Sequence, residues 1–140
     1  APDRPFTIGK ADIMITGSDV TIFACGHLVW QAIEAEAALR EKGISAEVIN
    51  LHTIKPLDVE AVLRSAEKTR CVVTAEEHQI NGGLGDSIGQ VLARFRPTPV
   101  EMVAVNDAFG ESGTPAQLLK KYGLTPENIT AAAIRAIGRK

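Results

Sequence analysis

Residues 20–51 confine this chain to few architectures. Val20 to Cys25 is a continuous apolar run of strand length, bounded by a turn, as in a strand buried on both faces. Gly26-His27 breaks the run, and Leu28, Ala32, Ala35 and Leu39 then recur on one helical stripe. Gln31, Glu34 and Glu41 fall away from that stripe, Glu36 stands four residues ahead of Arg40, and Gly43 closes the helix as a left-handed cap. From Ile44 to Leu51 apolar positions alternate with Ser45, Glu47 and Asn50, which reads as the next strand. Strand, helix, strand is a βαβ unit, because two parallel strands need a crossover of a dozen or more residues between them. The chain is therefore expected to be α/β.

The rest of the chain extends that pattern. Ala1 to Pro5 carries two prolines and reads as an incoming linker, so the domain is placed at residues 11–140 with 1–10 leading into it. The start at Ala1 rather than Met suggests that the chain was cut from something longer or lost a leader. Asp12 to Thr16 is a short apolar run closed by Gly17-Ser18-Asp19, and a connection that short suits two antiparallel neighbours. In His52 to Asp58, Pro56 forbids a central strand and Asp58 can cap a helix carrying Val59, Val62, Leu63 and Ala66. Cys71 to Ala75 is a buried strand, followed by an acidic, histidine-bearing turn, Glu76-Glu77-His78. Gly82-Gly83-Leu84-Gly85 then opens a helix on which Leu84, Ile88, Val91, Leu92 and Phe95 repeat. Pro97 and Pro99 end it, and Val100 to Val105 supplies the strand of a second βαβ unit. Thr114-Pro115-Ala116-Gln117 and Thr125-Pro126 mark two further helix starts. The second of these leads into a helix packed through Ile129, Ala132, Ala133, Ala136 and Ile137.

Charge and cysteine usage narrow the function classes. With 15 Lys plus Arg against 17 Asp plus Glu and no basic run, nucleic acid and anionic membrane are poor partners. No apolar stretch reaches the roughly 20 residues that span a bilayer, and a cytoplasmic location is expected. Cys25 and Cys71 are too few for a disulfide framework, lack metal-ligand spacing, and fall at opposite edges of the sheet, so both read as free buried thiols.

The chemistry-bearing residues gather after strands. His27, His52 and His78 each follow a strand, and Glu76, Glu77 and Asp107 belong to the same edge, where crevices form in open α/β sheets. Imidazole and carboxylate can ligate metals or carry protons, but the spacings match no compact ligand motif. Glu76 and Glu77 beside His78 could tune one another's proton affinity; a solvated or interface acidic pair is the simpler reading. The glycines at 82, 83 and 85 invite a phosphate-loop reading, which fails because the third glycine position is Ile88 and no Gly-Lys-Ser/Thr follows. Close packing at a helix start is the better account of them. Gly85-Asp86-Ser87-Ile88-Gly89 has the Gly-x-Ser-x-Gly spacing but reads as no nucleophile elbow, because Ser87 sits on the flank of a helical stripe rather than at a strand-to-helix turn. Trp30 and Phe109 are the apolar residues least expected to be fully internal, and both are candidates for a subunit contact.

Five segments carry a family resemblance. Asp19-Val-Thr-Ile-Phe-Ala-Cys-Gly26, Thr53-Ile-Lys-Pro-Leu-Asp58, Glu76-Glu-His78 with Gly82-Gly-Leu-Gly85, Phe109-Gly-Glu-Ser-Gly113 and Leu118-Leu-Lys-Lys-Tyr-Gly-Leu-Thr125 together resemble the C-terminal domain of transketolases. The nearest look is the kind split into two polypeptides. Related domains close the β subunits of 2-oxoacid dehydrogenases and the deoxyxylulose-phosphate synthases, and these remain alternatives. So does a small-metabolite-binding regulatory domain that uses the histidine-bearing edge.

The resemblance implies a three-layer α/β/α domain with a mixed five-stranded sheet whose first strand is antiparallel. The whole enzyme it resembles uses thiamine diphosphate and magnesium to move a two-carbon ketol unit between sugar phosphates. Its cofactor and catalytic residues belong to upstream domains, so no catalytic, cofactor-binding or metal residue is assigned to this chain. The implied partners are the catalytic domains or N-terminal subunit of a transketolase, within a homodimer of the whole enzyme. The candidate interface or ligand edge comprises Gly26, His27, His52, Glu76, Glu77, His78, Asn81, Gly82, Gly83, Gly85 and Asp107.

Overall fold

The alternation of apolar runs and amphipathic stripes resolves into strands β1 (Asp12–Ile15), β2 (Val20–Ala24), β3 (Ala46–Asn50), β4 (Val72–Gln79) and β5 (Val100–Val105). The helices are α1 (Leu28–Glu41), α2 (Val59–Thr69), α3 (Leu84–Phe95) and α4 (Pro126–Gly138). This computed structural model describes residues 10–52, 56–79, 83–105, 117, 120, 121 and 123–140. The sheet order is β1-β3-β2-β4-β5, with β1 antiparallel to β3 and the other pairs parallel.

Two apolar clusters make three layers. Leu28, Ala32, Ala35 and Leu39 of α1 and Ile129, Ala132, Ala133 and Ala136 of α4 pack on the sheet face formed by Ile22, Ala24, Val73 and Ala75. On the opposite face Val62 and Ala66 of α2 and Leu84, Ile88 and Leu92 of α3 cover Phe23, Ile49 and Val72. Each fully buried Leu, Ile or Phe contributes on the order of 1.5–3 kcal/mol of transfer free energy. Local signals set the boundaries. Gly43 adopts φ +77°, the Asp58 side chain accepts the Ala61 amide, and Thr125 accepts the Asn128 amide ahead of Pro126.

Three expectations are corrected. The first strand is antiparallel, but its partner is β3 rather than β2. The connection at residues 16–19 crosses the start of β3 at near-contact distance. A Cβ on Gly17 would stand 2.2 Å from the Ala46 carbonyl carbon, so only glycine lets the chain pass there. The crossing is tied down by the Asp19 amide donating to the Ser45 carbonyl (2.7 Å) and the Ser45 amide donating to Asp19 Oδ2 (2.7 Å). Four extended residues reach roughly 13 Å, more than the ~10 Å between next-nearest strands, so a short linker can skip one.

Secondly, Glu76-Glu77-His78 is not a turn. Strand β4 continues through it to Gln79, and because Ala75 pairs with Val103 while Gln79 pairs with Val105, the strand bulges against β5. Thirdly, the apolar stripe of α3 stops early: Leu84, Ile88 and Leu92 are buried, whereas Phe95 is 58% exposed with the Arg94 guanidinium 5.2 Å from its ring centroid.

The glycines of α3 divide by function. A Cβ on Gly85 would meet Thr74 Oγ1 at 2.8 Å and Met102 at 3.1 Å, whereas one on Gly89 would make an ordinary 3.8 Å contact. The expected close packing is thus specific to Gly85. Cys25 and Cys71 are free thiols on adjacent parallel strands, one following the end of β2 and one preceding the start of β4. Among the described residues no helix is long and apolar enough to cross a membrane.

Candidate functional site

Strand β4 delivers two consecutive carboxylates to opposite faces of the sheet, because side chains alternate along a strand. Glu76 points into the α2–α3 layer and is fully buried. Its Oε1 accepts the Leu84 amide and its Oε2 accepts the Gly85 amide, each at 2.6 Å. The N-cap residue of α3 is Gly83, which has no side chain to offer, so the helix start is capped from β4 instead. A carboxylate there satisfies orphan amides and meets the positive end of the helix dipole, which offsets the cost of its burial.

Glu77 serves the other layer. Its Oε1 accepts the His27 amide at 3.1 Å and lies 3.2 Å from His27 Nδ1, at the start of α1. Gly26, at φ +61°, supplies the turn that brings His27 to it. The two side chains are 76% and 40% exposed, so the pair is worth at most about 1 kcal/mol. Glu76 and Glu77 therefore do not form an acid–base couple; each holds a different helix start.

Between α1 and the β1–β3 side of the sheet lies a groove of about 440 Å³ lined by Met14, Cys25, Gly26, Val29, Trp30, Asn50, Leu51 and His52. Trp30 is 70% exposed, and His52 is also exposed. The Cys25 thiol is pushed up to about 11, first by burial and then by the charges of Glu76 and Glu77. It stays protonated at neutral pH and is no nucleophile there.

The predicted edge thus splits in two. Gly26, His27 and Glu77 come together beside the Cys25–Trp30–His52 groove, while Glu76, Gly83 and Gly85 form the inner corner under α3. His78 lies in β4. Asn81, Gly82, Asp107 and Phe109 fall outside the described residues. Among those described, no group of three His, Cys, Asp or Glu side chains is placed to hold a metal ion.

Sequence reasoning missed a second buried carboxylate, Glu47, 1% exposed on β3. It accepts Gly17 N (3.1 Å), Ser65 Oγ (2.6 Å) and Lys68 Nζ, and Ser65 continues to Thr21 and Thr69. Alternation alone made Glu47 look solvated. The available signal was Ser65, Lys68 and Thr69 at helical spacing on α2 opposite it.

The family model of the transketolase C-terminal domain matches residues 9–129. This chain belongs to that family. It is 48% identical over 135 residues to the 6-deoxy-6-sulfo-D-fructose transketolase subunit SqwH of Clostridium sp. (strain MSTE9), covering 96% of this chain and 42% of that protein. It is 37% identical over 135 residues to the 1-deoxy-D-xylulose-5-phosphate synthase of Pelotomaculum thermopropionicum, covering 95% of this chain and 21% of that one. A solved structure, a split gene transketolase described as an inactive beta4 tetramer, superposes with a TM-score of 0.93 at 45% identity, covering 99% of this chain and 45% of that one. The chain spans less than half the length of these relatives.

The family implies thiamine diphosphate in the whole enzyme. The glycine-rich start of α3 does not fit a diphosphate, because its two leading amides already hold the Glu76 carboxylate and a second anion would meet that charge.

Proposed function

We propose that this domain acts through assembly. It packs against the catalytic domains or N-terminal subunit of a cytoplasmic transketolase that moves a two-carbon ketol unit between sugar phosphates, within a homodimer of the whole enzyme. Thiamine diphosphate and magnesium are held by the partner domains. The contact edge consists of the groove at Gly26, Trp30 and His52, the His27–Glu77 pair, and residues 76–85 and 106–113.

The observation that carries this reading is the divergence of the edge's carboxylates. Glu76 and Glu77 are committed to helix starts on opposite faces, and what remains beside them is an aromatic anchor, Trp30, 70% exposed over a groove. Exposed aromatics seated at pockets are the residues that dominate association energies.

The test is titration of the chain with its catalytic partner in an ultracentrifuge. Trp30→Ala weakens association at least tenfold, about 1.4 kcal/mol, with an unchanged unfolding midpoint. His78→Ala disturbs association before it disturbs folding. Unaltered assembly in both variants would overturn the reading.

A second parent is favoured by the 37% identity to a 1-deoxy-D-xylulose-5-phosphate synthase across 95% of this chain. Assaying the assembled enzyme for ketol transfer against deoxyxylulose phosphate formation separates the two.

A further inference from the structure

The start of α3 has the parts of an oxyanion site with the anion built in. Leu84 and Gly85 direct adjacent amides at one point, from a helix of 12 residues whose cap residue offers no side chain. Gly85 packs directly against β4, since any Cβ there would collide with Thr74 Oγ1 at 2.8 Å. Thr74 supplies an independent observation. Its hydroxyl is fully buried beside the same turn and has no hydrogen-bond partner. Two amides and a hydroxyl are donors that a carboxylate or phosphate takes up; here a carboxylate from eight residues upstream takes the two amides and leaves the hydroxyl spare.

We propose that Glu76 is an intramolecular ligand: its carboxylate occupies an oxyanion seat formed by the Leu84 and Gly85 amides beside Thr74, and removing that side chain opens the seat to a small external oxyanion. The seat is closed in the native chain, so the glycine corner rigidifies the domain and binds no substrate phosphate. This inference stands independently of the assembly reading, because its outcome depends only on the isolated domain.

Chemical rescue tests it. Glu76→Ala, Glu76→Gln and the native chain are melted in increasing sodium acetate and, separately, inorganic phosphate, with sodium chloride at matched ionic strength as the control. Glu76→Ala gains stability saturably in acetate, in phosphate or in both, by roughly 4 °C at ten times Kd. The native chain and Glu76→Gln, whose seats remain filled, gain nothing beyond the chloride control. Equal gains in all three proteins, or none in Glu76→Ala, would overturn the proposal.

Should Glu76→Ala not fold, amide proton shifts decide the matter. Leu84 and Gly85 resonate downfield in the native chain and both move upfield in Glu76→Gln, where a neutral amide replaces the carboxylate. Unmoved Leu84 and Gly85 signals would equally refute it.

Discussion

Two carboxylates are buried on the same face of this sheet, at opposite ends of its parallel strands, and they are kept by different means. Glu47 is surrounded by side chains: Lys68 and Ser65 of α2, with the Gly17 amide added. Glu76 is held by backbone amides of α3. The first arrangement is a network that substitution can rewrite, since its partners are themselves replaceable. The second is tied to chain geometry, because the amides of Leu84 and Gly85 keep their need for an acceptor whatever side chains surround them. A buried charge at one end of the sheet thus fixes how helix α2 sits, and at the other it fixes where α3 begins.

The largest effect that would break this contrast lies at Gly17, where the network meets the backbone. Gly17→Ala forces a Cβ to within 2.2 Å of the Ala46 carbonyl carbon, so it displaces the crossing along with the amide that Glu47 accepts. It costs more than about 3 kcal/mol in urea unfolding, while Gly89→Ala, with room to spare, is neutral or stabilising. A Gly17→Ala protein of native stability would mean the crossing is looser than described.

A smaller effect sharpens it. Lys68→Met strands the Glu47 carboxylate and costs about 2 kcal/mol, the figure for a buried pair reduced because Lys68 is 44% exposed. Adding Glu47→Gln recovers part of that loss, a coupling that a double-mutant cycle reads directly. Strict additivity would show that the network is not a unit.

The smallest effect comes from a third carboxylate, Glu101, which faces α4 near the surface. The side-chain hydrogen bond from Arg135 chiefly holds it below the usual carboxylate range; burial opposes this, and the hydrogen bond from Arg139 and both guanidinium charges add to the lowering. A depressed folded value means the contribution is present above pH 4.5 and is lost as the pH falls through the lowered value. Glu101→Gln therefore flattens the acid limb of the stability profile and leaves its slope above pH 6 unchanged. An acid limb identical to that of the native chain would remove Glu101 from the account.

How much of this was legible in the sequence follows from the range of each signal. The βαβ alternation, the caps at Gly43, Asp58 and Thr125, and the stripe of α1 rest on interactions within a few residues, and all appear in the structure. The partner of β1 was not legible, because a short connection fixes reach but not which strand is reached. Ending β4 at Ala75 failed for a related reason. Two adjacent glutamates resemble a solvated turn unless each has a helix start to satisfy, and those starts lie 8 and 50 residues away. At the candidate edge, the resemblance supplied the family, while the splitting of its residues between two faces emerged only from strand alternation in three dimensions.

The crossing at Gly17 also has a mechanical consequence. Because β1 is laid against the outside of β3, it is the outermost strand on that side among the described residues. It can dock only after β3 is in place, so a strand that precedes the other four in the sequence joins the sheet after its partner. A pull transmitted through residue 10 would be borne first by that four-residue ladder, and would peel it away while β3, β2, β4 and β5 stayed joined.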